Sequence, residues 1–196
     1  MFGTLSSADA FPRLNQYLVD RNFPEFDKAL ASEDWSPNEL NSALIAAAGL
    51  NLPIQARSLI LAGADPNFTV LGNSALNVAS RHGSSLAMKV LLESGADPDI
   101  SAMFDWRPLH SAVGRTWVNL SSMEVLIRHG ADINALTNLQ ITPLHRAAGF
   151  CQYTAVALLL DYGANPDLLD NYGQTAAMRA SKAGCENVAN LIDKKR

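Results

Sequence analysis

Short apolar segments recur along the chain at a nearly constant spacing. One marker is Gly63-Ala-Asp-Pro-Asn, which returns at Gly95, Gly130 and Gly163 with steps of 32, 35 and 33 residues. A second marker, Ser or Thr followed by Pro or Ala and then Leu, precedes each of these glycines. Arg107 replaces the Ser or Thr in one copy, and the last copy, Thr175-Ala-Ala-Met, is weaker. Its copies begin at Ser42, Ser74, Arg107, Thr142 and Thr175, with steps of 32, 33, 35 and 33 residues. Because both markers keep one register, the chain contains an internal repeat of about 33 residues.

Each repeat predicts two short helices and a stop. Ser or Thr before Pro or Ala suits a helix N-cap, so we expect helices to start at Ser42, Ser74, Thr142 and Thr175. A second apolar run ends at the recurring glycine, which tolerates the left-handed conformation at a helix C-terminus. The 29 Ala and 27 Leu of the chain also favour helix. Helices this short are marginal alone, so neighbouring units must stack on each other.

The cap, the helix pair and the stop together resemble the ankyrin repeat. The resemblance rests on Thr142-Pro-Leu-His and on Gly130-Ala-Asp-Ile-Asn, and it runs from about Ser42 to Ile192. It implies an all-α fold: an ankyrin-repeat solenoid of stacked helix pairs with β-turn fingers. Residues 41–196 would form four clear units and a truncated C-terminal capping unit. We expect residues 1–40 to form a degenerate N-terminal capping repeat with helices over 12–20 and 24–32.

Two units depart from the pattern. Unit three has 23 residues from its helix start to its closing glycine, where the other clear units have 21. We expect the two extra residues in the turn around 115–120, so that Trp117 and Val118 bulge from it or Trp117 folds back onto its own helices. The last unit lacks the closing glycine, and we expect its terminal Lys194-Lys195-Arg196 to be a frayed, solvated end.

Composition and charge narrow the classes of function. Of the 196 residues 48% are apolar, which excludes an intrinsically disordered protein. No apolar stretch is long enough to cross a bilayer and no secretory signal is visible, so we expect a cytoplasmic protein without membrane contact. Only two cysteines are present, which suits a reducing compartment better than a disulfide-linked fold. The net charge of −4, without a basic stripe, argues against nucleic acid as a partner.

The chain shows no catalytic or metal-binding motif. In the ankyrin resemblance, His110 and His145 have a structural role in which each ring bridges backbone groups of adjacent turns. His82 and His129 have no ligand at zinc spacing, and Cys151 and Cys185 lack a neighbouring base. We therefore expect no enzyme activity, no cofactor and no metal.

A binding surface is the remaining candidate for function. In ankyrin arrays the fingers and the concave end of each first helix usually contact partners. Carried over by position, the candidate contact residues are Val70, Leu71, Asn73, Arg81, His82, Met103, Phe104, Trp106, Arg115, Asn138, Leu139, Ile141, Phe150, Asn171, Tyr172, Gln174 and Lys182. Several are apolar or aromatic, which is typical of an interaction site.

The fingers themselves set two further expectations. We expect Phe68 and Leu168 to be buried between the fingers. Asp105 replaces the usual glycine of the finger turn, which puts the shape of the third finger in question.

The sequence thus favours a protein–protein interaction module, an adaptor or inhibitor that binds a folded protein partner and is itself a monomer. Alternatives are a microbial effector or immunity protein of the same fold, or a small-molecule-binding or enzymatic protein with an unrecognised site. A third class is a modified substrate, because Asn67 and Asn134 resemble asparagines that are hydroxylated in some ankyrin repeats.

Overall fold

The chain folds into consecutive helix pairs. The structure is a computed structural model that describes residues 13–32, 34–114 and 118–196. The first helices of the pairs are α1 (Arg13–Val19), α3 (Pro37–Gly49), α5 (Ala75–His82), α7 (Pro108–Ala112), α9 (Pro143–Gly149) and α11 (Ala176–Lys182). The second helices are α2 (Phe23–Ser32), α4 (Pro53–Leu61), α6 (Ser85–Glu93), α8 (Leu120–Arg128), α10 (Tyr153–Asp161) and α12 (Glu186–Lys195).

The helices form two layers. From α1 to α11, each first helix packs against the first helix of the next pair, and from α4 to α12 the second helices do the same. The interface between the layers holds one continuous core that is rich in Ala and Leu, including Leu44, Leu76, Leu109 and Leu144. Small Ala side chains let the backbones of stacked helices approach closely. The stacking predicted from the repeat is therefore present.

The predicted N-caps are found in three units, and one is wrong. The hydroxyl oxygens of Ser74, Thr142 and Thr175 each accept a hydrogen bond from a backbone N–H in the first turn of α5, α9 and α11. Ser42, by contrast, lies inside α3, which begins at Pro37. There Ser36 is the N-cap, in a capping box with Glu39. Because the capping box accepts hydrogen bonds from first-turn N–H groups at an N-cap six residues before Ser42, the helix starts ahead of the repeat marker.

The amino-terminal helix pair agrees with the expectation. Helices α1 and α2 occupy the predicted positions, within the described residues. Leu14, Leu18 and Phe26 are fully buried, and α1 packs on α3. This pair therefore covers one end of the array, while its division from the repeats at residue 40 stays a prediction.

Fingers connect the pairs and are hydrogen-bonded to each other. The second finger, which leads into unit two, is formed by β1 (Thr69–Val70) paired antiparallel with β2 (Asn73–Ser74). In the next two fingers, the backbone N–H of Asn138 in the fourth donates to the carbonyl of Phe104 in the third, and the backbone N–H of Asn171 in the last finger donates to the carbonyl of Leu139 in the fourth. The third, fourth and last fingers are thus joined by backbone hydrogen bonds.

A ladder of side-chain oxygens supports the base of the fingers. The Asn67 side-chain oxygen accepts from the Asp97 backbone N–H at 2.7 Å, and the Asn134 oxygen accepts from Asn165 at 2.8 Å. Asp99 takes the equivalent place toward Asp132. Both asparagines that resemble hydroxylation sites therefore have a structural role, and their modification stays a prediction.

The turn predicted to hold the two extra residues of unit three lies between α7 and α8, and one detail of that prediction is wrong. The segment between α7 and α8 runs from 113 to 119, with 115–117 outside the described residues, Trp117 among them. Val118 does not bulge: it forms an antiparallel bridge with Val113 and packs against the core. Burying an apolar side chain is more favourable than exposing it, which explains the difference.

Three further expectations need correction. Phe68 and Leu168 are half-buried rather than buried, because they lie at the solvent edge of the finger stack.

The terminal cations are not a frayed end. Lys195 pairs with Asp161, and Arg196 pairs with Asp167. Charge pairing with unit four therefore holds the end of α12 against the array.

The two cysteines correct the expectation of unlinked thiols. Cys151, in the turn after α9, and Cys185, in the turn after α11, form a disulfide with a Cα–Cα distance of 5.6 Å. They are 34 residues apart, close to one repeat, so stacking brings the same turn of consecutive units together. In the described parts of the chain no helix is both long and apolar enough to span a membrane.

Candidate partner-binding groove

Two cavities open between the fingers and the first helices. The larger, of about 430 Å³, is lined by Trp106 and Ile141 from the fingers and by side chains of α9 and α11. The second, of about 390 Å³, lies beside it under the second and third fingers. Both are of the size that ligand cavities have. Since they share Trp106 and Arg146 as walls, we treat them as one feature and call it the groove.

Arg146 lies at the centre of the groove. Its guanidinium carbon is 4.2 Å from the centre of the Trp106 ring and 4.8 Å from that of Phe150. Its Nε donates to the backbone carbonyl of Val113. Burial lowers the pKa of Arg146 to about 10, so the guanidinium stays charged at neutral pH. Two aromatic faces stabilise the cation, each by about 0.5–2 kcal/mol.

A buried carboxylate holds a second arginine at the groove. Arg179 Nε lies 2.7 Å from Asp170 Oδ2, and the Asp170 carboxylate is buried. Burial alone would raise the pKa of Asp170. Backbone N–H groups of Gln174 and Tyr172 and the Arg179 guanidinium outweigh it and lower that pKa. Asp170 is therefore ionised at neutral pH and fixes the direction of the Arg179 side chain.

The histidines have the structural role that the resemblance implies. His110 Nε2 lies 2.9 Å from the carbonyl of Ile141, and His145 Nε2 lies 3.0 Å from that of Gln174. The backbone N–H groups of Arg107 and Thr142 donate to their Nδ1 atoms. Burial lowers the pKa of both rings, to about 4 for His110. Each ring is a neutral bridge between a helix start and the next finger, with both nitrogens in use.

The finger tips expose large apolar side chains. Leu71 is 84% exposed, Tyr172 69% and Phe104 65%. Phe104 and Asp105 have φ of 61° and 57°, in the left-handed region that non-glycine residues avoid. Each such residue costs on the order of 1 kcal/mol. The third finger thus presents a phenylalanine to solvent in a strained turn, which is the answer to the question of its shape.

The structure separates the predicted contact residues into two groups. Nine line the groove: Asn73, Arg81, Met103, Phe104, Trp106, Ile141, Phe150, Gln174 and Lys182. Seven lie outside it: Val70, Leu71, Asn138, Leu139, Asn171 and Tyr172 on the fingers, and His82 at the end of α5. Arg115 lies outside the described residues.

Arg146 and Arg179 are the charged residues lining the groove that the sequence analysis missed. Both stand four residues after the helix-start marker, in consecutive units. Phe150 follows Arg146 by four residues, and Lys182 follows Arg179 by three, so each pair shares one stripe of its helix. Helical periodicity applied backwards from Phe150 and Lys182 would have indicated both positions.

Metal ligands and acidic side chains are few among the described residues of this site. Over the described residues no group of three or more His, Cys, Asp or Glu side chains is placed to hold a metal ion. Among the described residues, no Asp or Glu lines either cavity. The groove combines aromatic surfaces with cations, and the His145 ring in its wall has both nitrogens hydrogen-bonded.

Comparisons with known proteins agree with this architecture. The family model described as ankyrin repeats in three copies matches residues 109–195, and a single ankyrin-repeat model matches residues 71–100. The comparison with curated proteins returns no match. Ankyrin repeats generally mediate protein–protein interaction and are typically not enzymes. With more than half of the sequence matched and the helix pairs stacked as described, the chain belongs to the ankyrin-repeat family.

Proposed function

We propose that the chain is a binding module that recognises a folded protein through the groove and the finger tips. The observation that carries this proposal is Phe104, a largely exposed phenylalanine held in a left-handed turn. Strain of this kind is retained where the surrounding structure gives it a use. Buried in an interface, one aromatic anchor of this type contributes about 2 kcal/mol or more.

The neighbouring surface supports a protein as the partner. Met103 and Leu139 are also exposed, and with Phe104 and Tyr172 they extend an apolar surface across three fingers. Trp106 lies between these tips and the groove. A folded protein can cover the fingers and insert side chains into the groove at the same time, which a small ligand cannot do. Catalysis, a cofactor and a metal have no place in this proposal, and the module acts as a monomer.

Affinity capture with matched variants tests the proposal. The chain is immobilised as wild type, as Phe104→Ser and as Leu61→Ser, and bound proteins from the cells that make it are identified by mass spectrometry. Leu61 is the control because it is 83% exposed and lies at the end of α4, in the other helix layer. We expect a partner retained by wild type and Leu61→Ser and held at least about tenfold more weakly by Phe104→Ser.

Two outcomes would contradict the proposal. Equal retention of every protein by all three forms would move the contact away from the third finger. Loss of the partner from both variants would assign the effect to general surface apolarity or folding, which circular dichroism of each variant checks.

The binding module acts in this proposal as an adaptor or an inhibitor of its partner. The alternatives are a microbial effector or an immunity protein of the same fold. Assay of the captured partner separates them: an inhibitor abolishes the partner's activity at one equivalent, whereas an adaptor leaves it intact. The proposed cytoplasmic location has its own test. A reducing compartment disfavours a disulfide, so trapping thiols in intact cells should find Cys151 and Cys185 reduced if the location is correct.

A further inference from the structure

Positive charge is concentrated in the groove of an acidic protein. Arg81, Arg146, Arg179 and Lys182 line it. Even when the buried Asp170 is counted with them, the groove carries a net charge of about +3. Because the whole chain has a net charge of −4, the remaining residues carry about −7. A field of this form attracts anionic segments to the groove and repels them elsewhere.

The four cations of the groove differ in the hydrogen bonds and salt bridges that they form within the protein. Arg179 is paired with Asp170, and Arg81 donates to the Asn73 side-chain oxygen at 2.9 Å. In the ranges that the structure describes, no carboxylate forms a salt bridge with Arg146 or Lys182. Arg146 is also half-buried, with one N–H used by Val113 and both ring faces beside it apolar. Its side chain lines both cavities, and none of the described residues that line them is Asp or Glu.

We propose that the groove receives an acidic segment of the protein partner, in which an Asp or Glu carboxylate binds between Arg146 and Lys182 while an adjacent apolar side chain packs beside Trp106. This rests on the proposed function and names the chemistry of the partner. The Arg146 guanidinium, placed near the rings of Trp106 and Phe150, has the fork of donors that a carboxylate binds with two parallel hydrogen bonds. Ile141 and Phe150 supply the apolar wall for the neighbouring side chain.

A peptide segment fits the charge distribution better than a nucleic acid. Four cations of the described residues line the groove, and the rest of the chain carries a net negative charge. A polynucleotide places a phosphate on every residue and would extend beyond the groove toward acidic surface. One or two carboxylates on a short segment meet the cations and leave the acidic surface solvated.

Selection from a peptide library tests the inference directly. The full chain is immobilised and used to enrich a displayed library of random twelve-residue peptides. We expect the enriched peptides to contain more Asp and Glu than the library, next to apolar or aromatic residues. Synthetic versions should lose affinity with rising salt. Replacing their acidic residues with Asn or Gln should weaken binding at least about tenfold.

Matched variants assign the charge to its site. Lys182→Glu reverses an exposed charge at the end of α11 and should lower affinity for the acidic peptides at least about tenfold, as should Arg146→Gln. Lys89→Glu is the control, since it makes the same reversal at an exposed position of α6 in the other helix layer. Lys182→Glu keeps the test valid if Arg146→Gln disturbs the fold.

The outcomes separate this inference from the proposed function. Enrichment of neutral or basic peptides, equal effects of Lys182→Glu and Lys89→Glu, or no enrichment at all would overturn the acidic-segment proposal. Tighter binding of a twelve-nucleotide single strand than of the best peptide would overturn it as well. In each case the capture experiment with Phe104→Ser still decides the proposed function, because it depends on a different residue and no selected peptide.

Discussion

The Cys151–Cys185 disulfide allows a quantitative prediction about stability. It joins the turn after α9 to the turn after α11 and closes a loop of 34 residues. Removal of this bond, by reduction or by Cys151→Ser, leaves the helix pairs in place but raises the conformational entropy of the unfolded chain. The main effect is therefore expected on the unfolded ensemble.

The magnitude follows from the length of the loop. The chain-entropy relation for a loop of that length gives about 12.6 cal/mol/K, or about 4 kcal/mol of stability at 25 °C. The free energy of unfolding of a small domain is about 5–15 kcal/mol. Loss of this one bond should therefore remove a substantial part of the stability of the array.

Urea unfolding followed by circular dichroism measures the effect. Oxidised and reduced wild type are compared at the same pH, with Cys151→Ser measured in both conditions. With an m-value of about 2 kcal/mol per M, the urea midpoint should fall by about 2 M on reduction. Cys151→Ser should match the reduced wild type and should not respond to the reductant.

Two results would refute the reasoning. If both cysteines of the oxidised protein react with iodoacetamide before denaturation, the bond does not form. If the bond forms but the midpoint stays within about 0.3 M on reduction, the unfolded chain is already as restricted without it. The change in the free energy of unfolding is then at most about 0.6 kcal/mol, which is too little for the loop-closure argument.

Three other predictions concern single positions. His110 has a folded pKa of about 4 against about 6.5 in the unfolded chain, so the unfolded state binds more protons between those values. The neutral His110 contributes its full stabilisation above pH 6.5, and the free energy of unfolding should fall by about 3 kcal/mol between pH 6.5 and pH 4. In urea titrations at these two pH values, His110→Gln should show a smaller difference in the free energy of unfolding than the wild type. Gly83→Ala should destabilise by more than about 2 kcal/mol, because φ is 73° and a Cβ would lie 1.8 Å from Asn119 Nδ2. Gly63→Ala meets no atom within 4 Å and should cost only the backbone strain, so equal thermal shifts of the two variants would contradict the packing argument. Ser36→Ala should cost about 1 kcal/mol in urea unfolding through loss of the capping box of α3, and an unchanged midpoint would show that α3 does not need its cap.

Part of the candidate site could be predicted from the sequence. The ankyrin resemblance assigned Trp106, Phe150 and Lys182 to the candidate contact surface, and the structure places all three along the groove. Arg146 stands four residues after its repeat marker, a position that the resemblance did not assign to partner contact. That its guanidinium lies between two rings depends on side-chain packing across units three and four, which no spacing along the chain describes.

The sequence by itself determined the repeat, the caps of three units and the positive-φ glycine that ends the helix pair of each of the four clear units. These are local effects: one hydroxyl meets a backbone N–H three residues away, and one glycine adopts a positive φ. Only the tertiary structure decided that Cys151 meets Cys185, that Val118 turns inward, and that the cations of α9 and α11 face one groove. Each of these depends on side chains from separate segments meeting when units stack and turns close, and their relative orientation is fixed by packing rather than by any single segment.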